Sequence, residues 1–142
     1  MTTLLIPVDG SDYSLKAVDY AVYRARESTT SLEVHLLNVQ MALASVNVKL
    51  FVSAESLESY YRDEGQRALE APLARAKSAG LTVTPHIGVG DPAKIIMDYV
   101  AQQKADEIIM GSHGRGALAG AFVGSVAQKV VHLSSVPVVL VR

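Results

Sequence analysis

Apolar residues in this chain fall into short continuous runs, separated by longer stretches in which they recur every three or four positions. The first run, Thr3 to Val8, is apolar on both faces through Leu4, Leu5, Ile6 and Val8, as a strand covered on both sides requires. Pro7 cannot donate to a ladder and suits the end of that strand. Asp9-Gly10-Ser11 makes a turn, and Ser11 is the predicted N-cap of a helix reaching about Arg26, with Leu15, Val18, Val22 and Ala25 at helical spacing. A second strand spans Leu32 to Val39. A long helix from about Ser53 to Ala79 follows, with Gly80 as its closing signal and Pro72 predicting a kink or break. The third strand is Thr82 to Val89. Asp91-Pro92 then opens a helix that turns Ile96 and Val100 inward and stops near Gln103. The fourth strand, Glu107 to Met110, runs into the glycine-rich stretch Gly111 to Gly124, a last helix from Ser125 to Leu133 and a fifth strand from Val136 to Val141. Met41 to Val52 fits neither period cleanly. Val46, Val48, Leu50 and Val52 alternate as in a strand, but the stretch reads as a variable loop packed over another surface.

Strands alternating with helices predict an α/β fold, an open five-stranded parallel sheet with helices on both faces. The 142 residues fit one domain, 1–142, with no linker and no repeat. Charged residues make up 19% of the chain and hydrophobic ones 49%, which excludes a disordered composition. A formal net charge of -1 leaves no basic excess to neutralise a nucleic-acid backbone, so nucleic acid is not an expected partner. Arg24 to Arg26 and Arg75 to Lys77 read as solvated helix faces. With no cysteine, disulfides, thiol catalysis and thiolate metal sites are excluded. The amino terminus lacks the features of a signal peptide, and no apolar run approaches the ~20 residues that cross a bilayer. The expected location is cytoplasmic, without membrane contact.

The candidate chemistry lies in Gly111-Ser112-His113-Gly114, nine further residues, and Gly124-Ser125, between a strand and a helix. Main-chain N–H groups at a helix start have no intrahelical acceptor, and the helix dipole adds partial positive charge there. Phosphate is the anion such a site commonly takes. Gly111 and Gly114 would let the backbone approach a ligand and adopt positive φ. Ser125 offers a hydroxyl and an N–H, Arg115 a charge-assisted donor, and His113 either a donor or plain polar surface. Asp9 ends the first strand, as a ligand contact or a turn-stabilising residue. For Asp9 and Gly111 to flank one site, strands one and four must be neighbours. That selects the order 3-2-1-4-5 over 2-1-3-4-5, with the site beyond the carboxyl ends of the strands.

These residues resemble the universal stress protein family over essentially the whole chain. The resemblance rests on Ile6-Pro-Val-Asp-Gly-Ser11, Leu37-Asn-Val39, Asp91-Pro92, Met110-Gly-Ser-His-Gly-Arg-Gly116 and Gly124-Ser125-Val126. The spacing G-x2-G-x9-G-[S/T] is similar to that of the family's ATP-binding branch. The resemblance implies an adenine nucleotide α-hydrolase-like, Rossmann-like fold and a bound ATP, ADP or AMP. Pro7, Val8 and Asp9 would face adenine and ribose, Val39 the adenine, and Met110 the ribose side. Gly111, Ser112, His113, Gly114 and Arg115 would wrap sugar and phosphates, and Gly124, Ser125 and Val126 would hold the phosphate chain. Any Mg²⁺ would arrive on the phosphates, since no carboxylate cluster offers a protein cage. The implied role is regulatory, in stress adaptation. For Val39 and Met110, simple core packing is the alternative account.

Other motifs fail. Gly114-x-Gly116-x-x-Ala119 fits the dinucleotide fingerprint, but no acidic residue follows it. Ala117-Leu118 stand where a Walker A loop needs Lys-Ser/Thr. A phosphorelay receiver would need an acidic group at the end of strand three, which instead ends in Val89-Gly90. No G-x-S-x-G or H-E-x-x-H motif is present, and His35, His86 and His132 lie within predicted strands and a helix, so no catalytic residue is assigned. A weak ATPase and a nucleotide-independent interaction module stay open as alternatives. The uncharged edge Val136 to Val141 predicts a homodimer through strand five.

Overall fold

The computed structural model describes residues 1–42, 52–114 and 123–142. Parallel strands β1 (Thr2–Pro7), β2 (Leu32–Gln40), β3 (Thr82–Val89), β4 (Glu107–Gly111) and β5 (Val138–Val141) form one sheet in the order β3-β2-β1-β4-β5. This is the order expected from placing Asp9 and Gly111 at one site. Strand β1 is central, with Leu4, Leu5 and Ile6 fully buried, which is why its sequence is apolar on both faces. Pro7 closes the strand in register with Leu37, and Val8 donates its N–H to the Leu37 carbonyl at 2.8 Å.

Helices α1 (Asp12–Glu27) and α2 (Ala54–Ser78) cover one face of the sheet. There Ala17, Val18, Ala21, Leu69 and Ala76 pack on Leu4, Ile6, Leu36 and Ile109. Helices α3 (Pro92–Gln103) and α4 (Ser125–Leu133) cover the other, where Ala93, Ile96, Val100, Ala127 and Val130 pack on Leu5, Leu37 and Ile108. Ser11, Ser53 and Asp91 cap α1, α2 and α3 through their side chains, as small polar residues at helix starts do.

Three expectations are corrected. Helix α2 runs unbroken through Pro72, whose ring is buried. Gly65, Ala68, Leu69, Pro72 and Ala76 make one stripe against the sheet, and this docking on both sides of the proline outweighs its missing hydrogen bond. Strand β5 begins at Val138 rather than Val136, because Ser134 Oγ donates to the Val136 carbonyl (2.7 Å) and accepts its N–H (3.1 Å), folding that residue into a turn. Arg24 is not on a plain solvated face. Arg24 makes a two-pronged contact with Glu107 at 2.8 and 3.0 Å, tying α1 to β4, and this hydrogen bonding raises its pKa above the ordinary value. Arg75 pairs with Asp19 at 3.1 Å, linking α2 to α1 at the surface. Most of Met41 to Val52 and all of 115–122 lie outside the described residues.

His35 and His86, on β2 and β3, form a polar chain under α3. Glu33 Oε1 accepts from His35 Nε2 at 2.9 Å, and His35 Nδ1 lies 2.8 Å from His86 Nε2. A second imidazolium would set two N–H groups face to face. Burial, and then the neighbouring His35, push the His86 pKa below its ordinary 6.5, while Tyr99 of α3 packs edge-on to its ring. A lowered folded-state pKa means that the unfolded chain takes the proton first. Stability from this source is therefore full above pH 6.5 and falls as pH drops below it. We expect thermal melts from pH 7.5 to 5 to show a smaller acid loss in His86→Gln than in the wild type; parallel curves would contradict the assignment.

Candidate functional site

The carboxyl ends of β1, β2 and β4 point to the same side of the sheet, where neighbouring connections leave in opposite directions and open a crevice. A cleft of about 550 Å³ lies there, within the ~300–1,000 Å³ common for small-molecule sites. Pro7, Val8 and Asp9 reach it from the end of β1, Val39 from β2, and Met110 and Gly111 from β4. His113 and Gly114 follow, and Gly124, Ser125 and Val126 contribute the start of α4. Ser112 does not line the cleft. It is buried, its N–H donating to the Val141 carbonyl (2.8 Å) and its carbonyl accepting from Gly124 (2.6 Å), so it fixes the start of α4 to the ends of β4 and β5. Arg115 lies outside the described residues.

Asp9 carries the densest set of contacts. Its Oδ1 accepts from the Ser11 N–H (2.9 Å) and the Ser14 hydroxyl (2.8 Å), and its own N–H donates to Ser14 Oγ at 2.9 Å. One carboxylate oxygen thus serves the turn, while the residue also faces the cleft. Asn38, buried on β2, donates from Nδ2 to the Val8 carbonyl at 2.8 Å and holds the same turn from the other side.

The glycines serve close approach rather than unusual dihedrals. Positive φ occurs at Gly10, Gly80 and Gly90, not at Gly111 or Gly114. A Cβ on Gly114 would run into Asp9 Oδ2, and one on Gly124 would crowd the His113 Cα at 3.3 Å. A Cβ on Gly111 would meet the Tyr13 Cβ at 2.6 Å and its main-chain carbon at 2.9 Å, so this glycine lets β4 reach α1. Gly124 caps α4 with no side-chain hydrogen bond, in contrast to the starts of α1, α2 and α3.

The wall is otherwise largely apolar. Among the described lining residues, Asp9 supplies the carboxylate and His113 the ionisable base. His113 Nδ1 lies 3.0 Å from Ser112 Oγ, and its ring is 5.0 Å from that of Tyr13. Among the described residues, no cluster of three His, Cys, Asp or Glu side chains is placed to hold a metal ion. Ser14, Ile96 and Gln128 also line the cleft but were not singled out from the sequence, and Leu37 and Pro92, noted as parts of the resemblance, line it as well. Ser14 had a signal: it lies one turn past the cap in Ser11-Asp-Tyr-Ser14. Ile96 had none, since it is also a core residue.

Fold and cleft together define a Rossmann-like α/β protein with a crevice at the reversal point of its sheet. The model of the universal stress protein family matches residues 1–142, and the chain belongs to that family. It is 32% identical over 139 residues to Universal stress protein MJ0531 of Methanocaldococcus jannaschii, covering 98% of this chain and 81% of that one. The solved structure of MJ0577, from the same organism, superposes with a TM-score of 0.84 at 28% identity, covering 99% of this chain and 94% of the other. A universal stress protein solved in complex with cAMP superposes with a TM-score of 0.72 at 27% identity, covering 99% and 97%.

The glycine contacts order two substitutions. Gly111→Ala sets a Cβ against main-chain atoms of Tyr13 and is expected to cost about 1–3 kcal/mol, the usual range for overpacking. Gly114→Ala meets only the end of the Asp9 side chain and should cost less. Urea denaturation of both variants checks the order, and a larger loss in Gly114→Ala would contradict it.

Proposed function

We propose that this chain binds an adenine nucleotide in the cleft at the ends of β1, β2 and β4, with the phosphates at the start of α4. The observation that carries this reading is a helix N-terminus with no side-chain cap opening onto an apolar-walled crevice beside Asp9. The helix-start amides and dipole suit phosphate oxygens, the wall suits a base, and the carboxylate suits hydroxyl or amino donors. The residues fit such a ligand: Gly124 leaves no Cβ between the loop and the α4 start, so the main chain of the two can lie close together beside an anion.

In this reading Pro7, Val8, Asp9 and Val39 meet the adenosine, Met110, Gly111, His113, Gly114 and Arg115 wrap the sugar and phosphates, and Gly124, Ser125 and Val126 hold the phosphate chain. ATP is the proposed ligand, with ADP and AMP as smaller occupants and Mg²⁺ carried on the phosphates. The related protein in complex with cAMP supports the adenine preference. Occupancy would bias a regulatory dimer in stress adaptation. Strand β5 lies at the sheet edge with half-buried residues Val138–Val141, which suits pairing with a second copy.

Two measurements test this. ATP at a hundred times its Kd should stabilise the protein by about 2.7 kcal/mol, read as a raised Tm. Gly114→Val should abolish the shift, because its side chain displaces the Asp9 carboxylate. An unmoved wild-type Tm, with no nucleotide released on denaturation, would favour the nucleotide-independent module; released ADP or AMP would favour a weak ATPase. Light scattering at micromolar concentration should give twice the mass of the 15.1 kDa chain, and a monomer would contradict pairing through β5.

A further inference from the structure

Ser14 sits in the first turn of α1 with 4% of its surface exposed, yet it reaches the cleft. Its hydroxyl donates to Asp9 Oδ1 at 2.8 Å and accepts the Asp9 N–H at 2.9 Å, closing a ring with one residue's side chain and main chain. The Ser11 N–H adds a second donor to the same oxygen at 2.9 Å. Two donors on one oxygen hold the carboxylate in one orientation and direct its other oxygen toward Gly114. Capping does not need this hydroxyl, since the Ser11 side chain already caps α1. Helix propensity does not favour it either, since serine ranks below alanine within a helix. The hydroxyl is accounted for by what it does to Asp9.

We infer that Ser14 is a positioning residue of the nucleotide site, acting on the ligand only through the Asp9 carboxylate. The inference rests on the nucleotide reading above. It deepens that reading by making the charge at the end of β1 a fixed group rather than a swinging one. A carboxylate already oriented loses no rotamer freedom when a ligand donor reaches it, and pre-organisation of this kind appears as affinity.

The experiment is a double-mutant cycle of ATP binding by isothermal titration calorimetry, using wild type, Ser14→Ala, Asp9→Ala and the double variant, with Ser14→Thr as the hydroxyl-retaining control. Ser14→Ala should weaken ATP binding about tenfold, Ser14→Thr should recover most of that loss, and Ser14→Ala should cost nothing further in the Asp9→Ala background. Equal affinity in Ser14→Ala, or the same loss with and without Asp9, would overturn the inference while leaving nucleotide binding intact. Absence of ATP binding in the wild type would instead overturn the functional reading. A ligand-free measurement separates the two. The Asp9 ¹³Cγ resonance should shift in Ser14→Ala and stay near its wild-type position in Ser14→Thr; an unmoved resonance in Ser14→Ala would overturn the positioning role whatever the protein binds.

Discussion

The site depends on main-chain surfaces meeting where a Cβ would keep them apart. Gly111 lets the end of β4 press on the first turn of α1, Gly114 sits on the Asp9 carboxylate, and Gly124 brings the start of α4 against His113. A Cβ at Gly111 or Gly114 would clash with these neighbours, and one at Gly124 would crowd His113. The strand order supplies the rest of the constraint. With β1 between β2 and β4, the turn at Asp9 and the segment after Met110 must lie side by side.

Around that contact the polar groups are arranged to hold main chain. Asn38 clamps the Val8 carbonyl, Ser14 and Ser11 clamp Asp9, and buried Ser112 joins the ends of β4 and β5 to the start of α4. No buried side-chain polar atom among the described residues lacks a hydrogen bond. The turn after β1 is therefore tightly specified, whereas the wall facing it is mostly apolar and imposes shape more than direction. A site so built suits a ligand with a flat apolar base and a charged tail.

Much of this was legible in the sequence, for identifiable reasons. The central strand β1 is short and apolar on both faces, so period and length agreed there, and the last helix has the bounds expected, Ser125–Leu133. The strand order followed from requiring Asp9 and Gly111 to meet. What failed was local reasoning overruled by packing: Pro72 is carried by a long helix docked on both sides, and Val136 is folded into the Ser134 turn. Long-range pairs were invisible, because nothing in Arg24 announces Glu107, 83 residues away, nor in His35 the partner His86, 51 residues on. At the site, the glycine spacing pointed to a segment whose described ends line the cleft, but Gly111 also contacts Tyr13, a neighbour the spacing cannot reveal. Ser14 was passed over because a serine in a first helical turn reads as capping.

Amide chemical-shift mapping during an ATP titration addresses the central claim most directly, since it reports where on the chain the ligand sits. The account predicts the largest ¹H–¹⁵N changes at Asp9, Gly111 to Gly114, and Gly124 to Val126. A second groove, between α2 and β3 and bordered by Asp63, Arg67 and Pro85, should be left unmoved. Saturable shifts confined to that groove, with the α4 start unchanged, would contradict it.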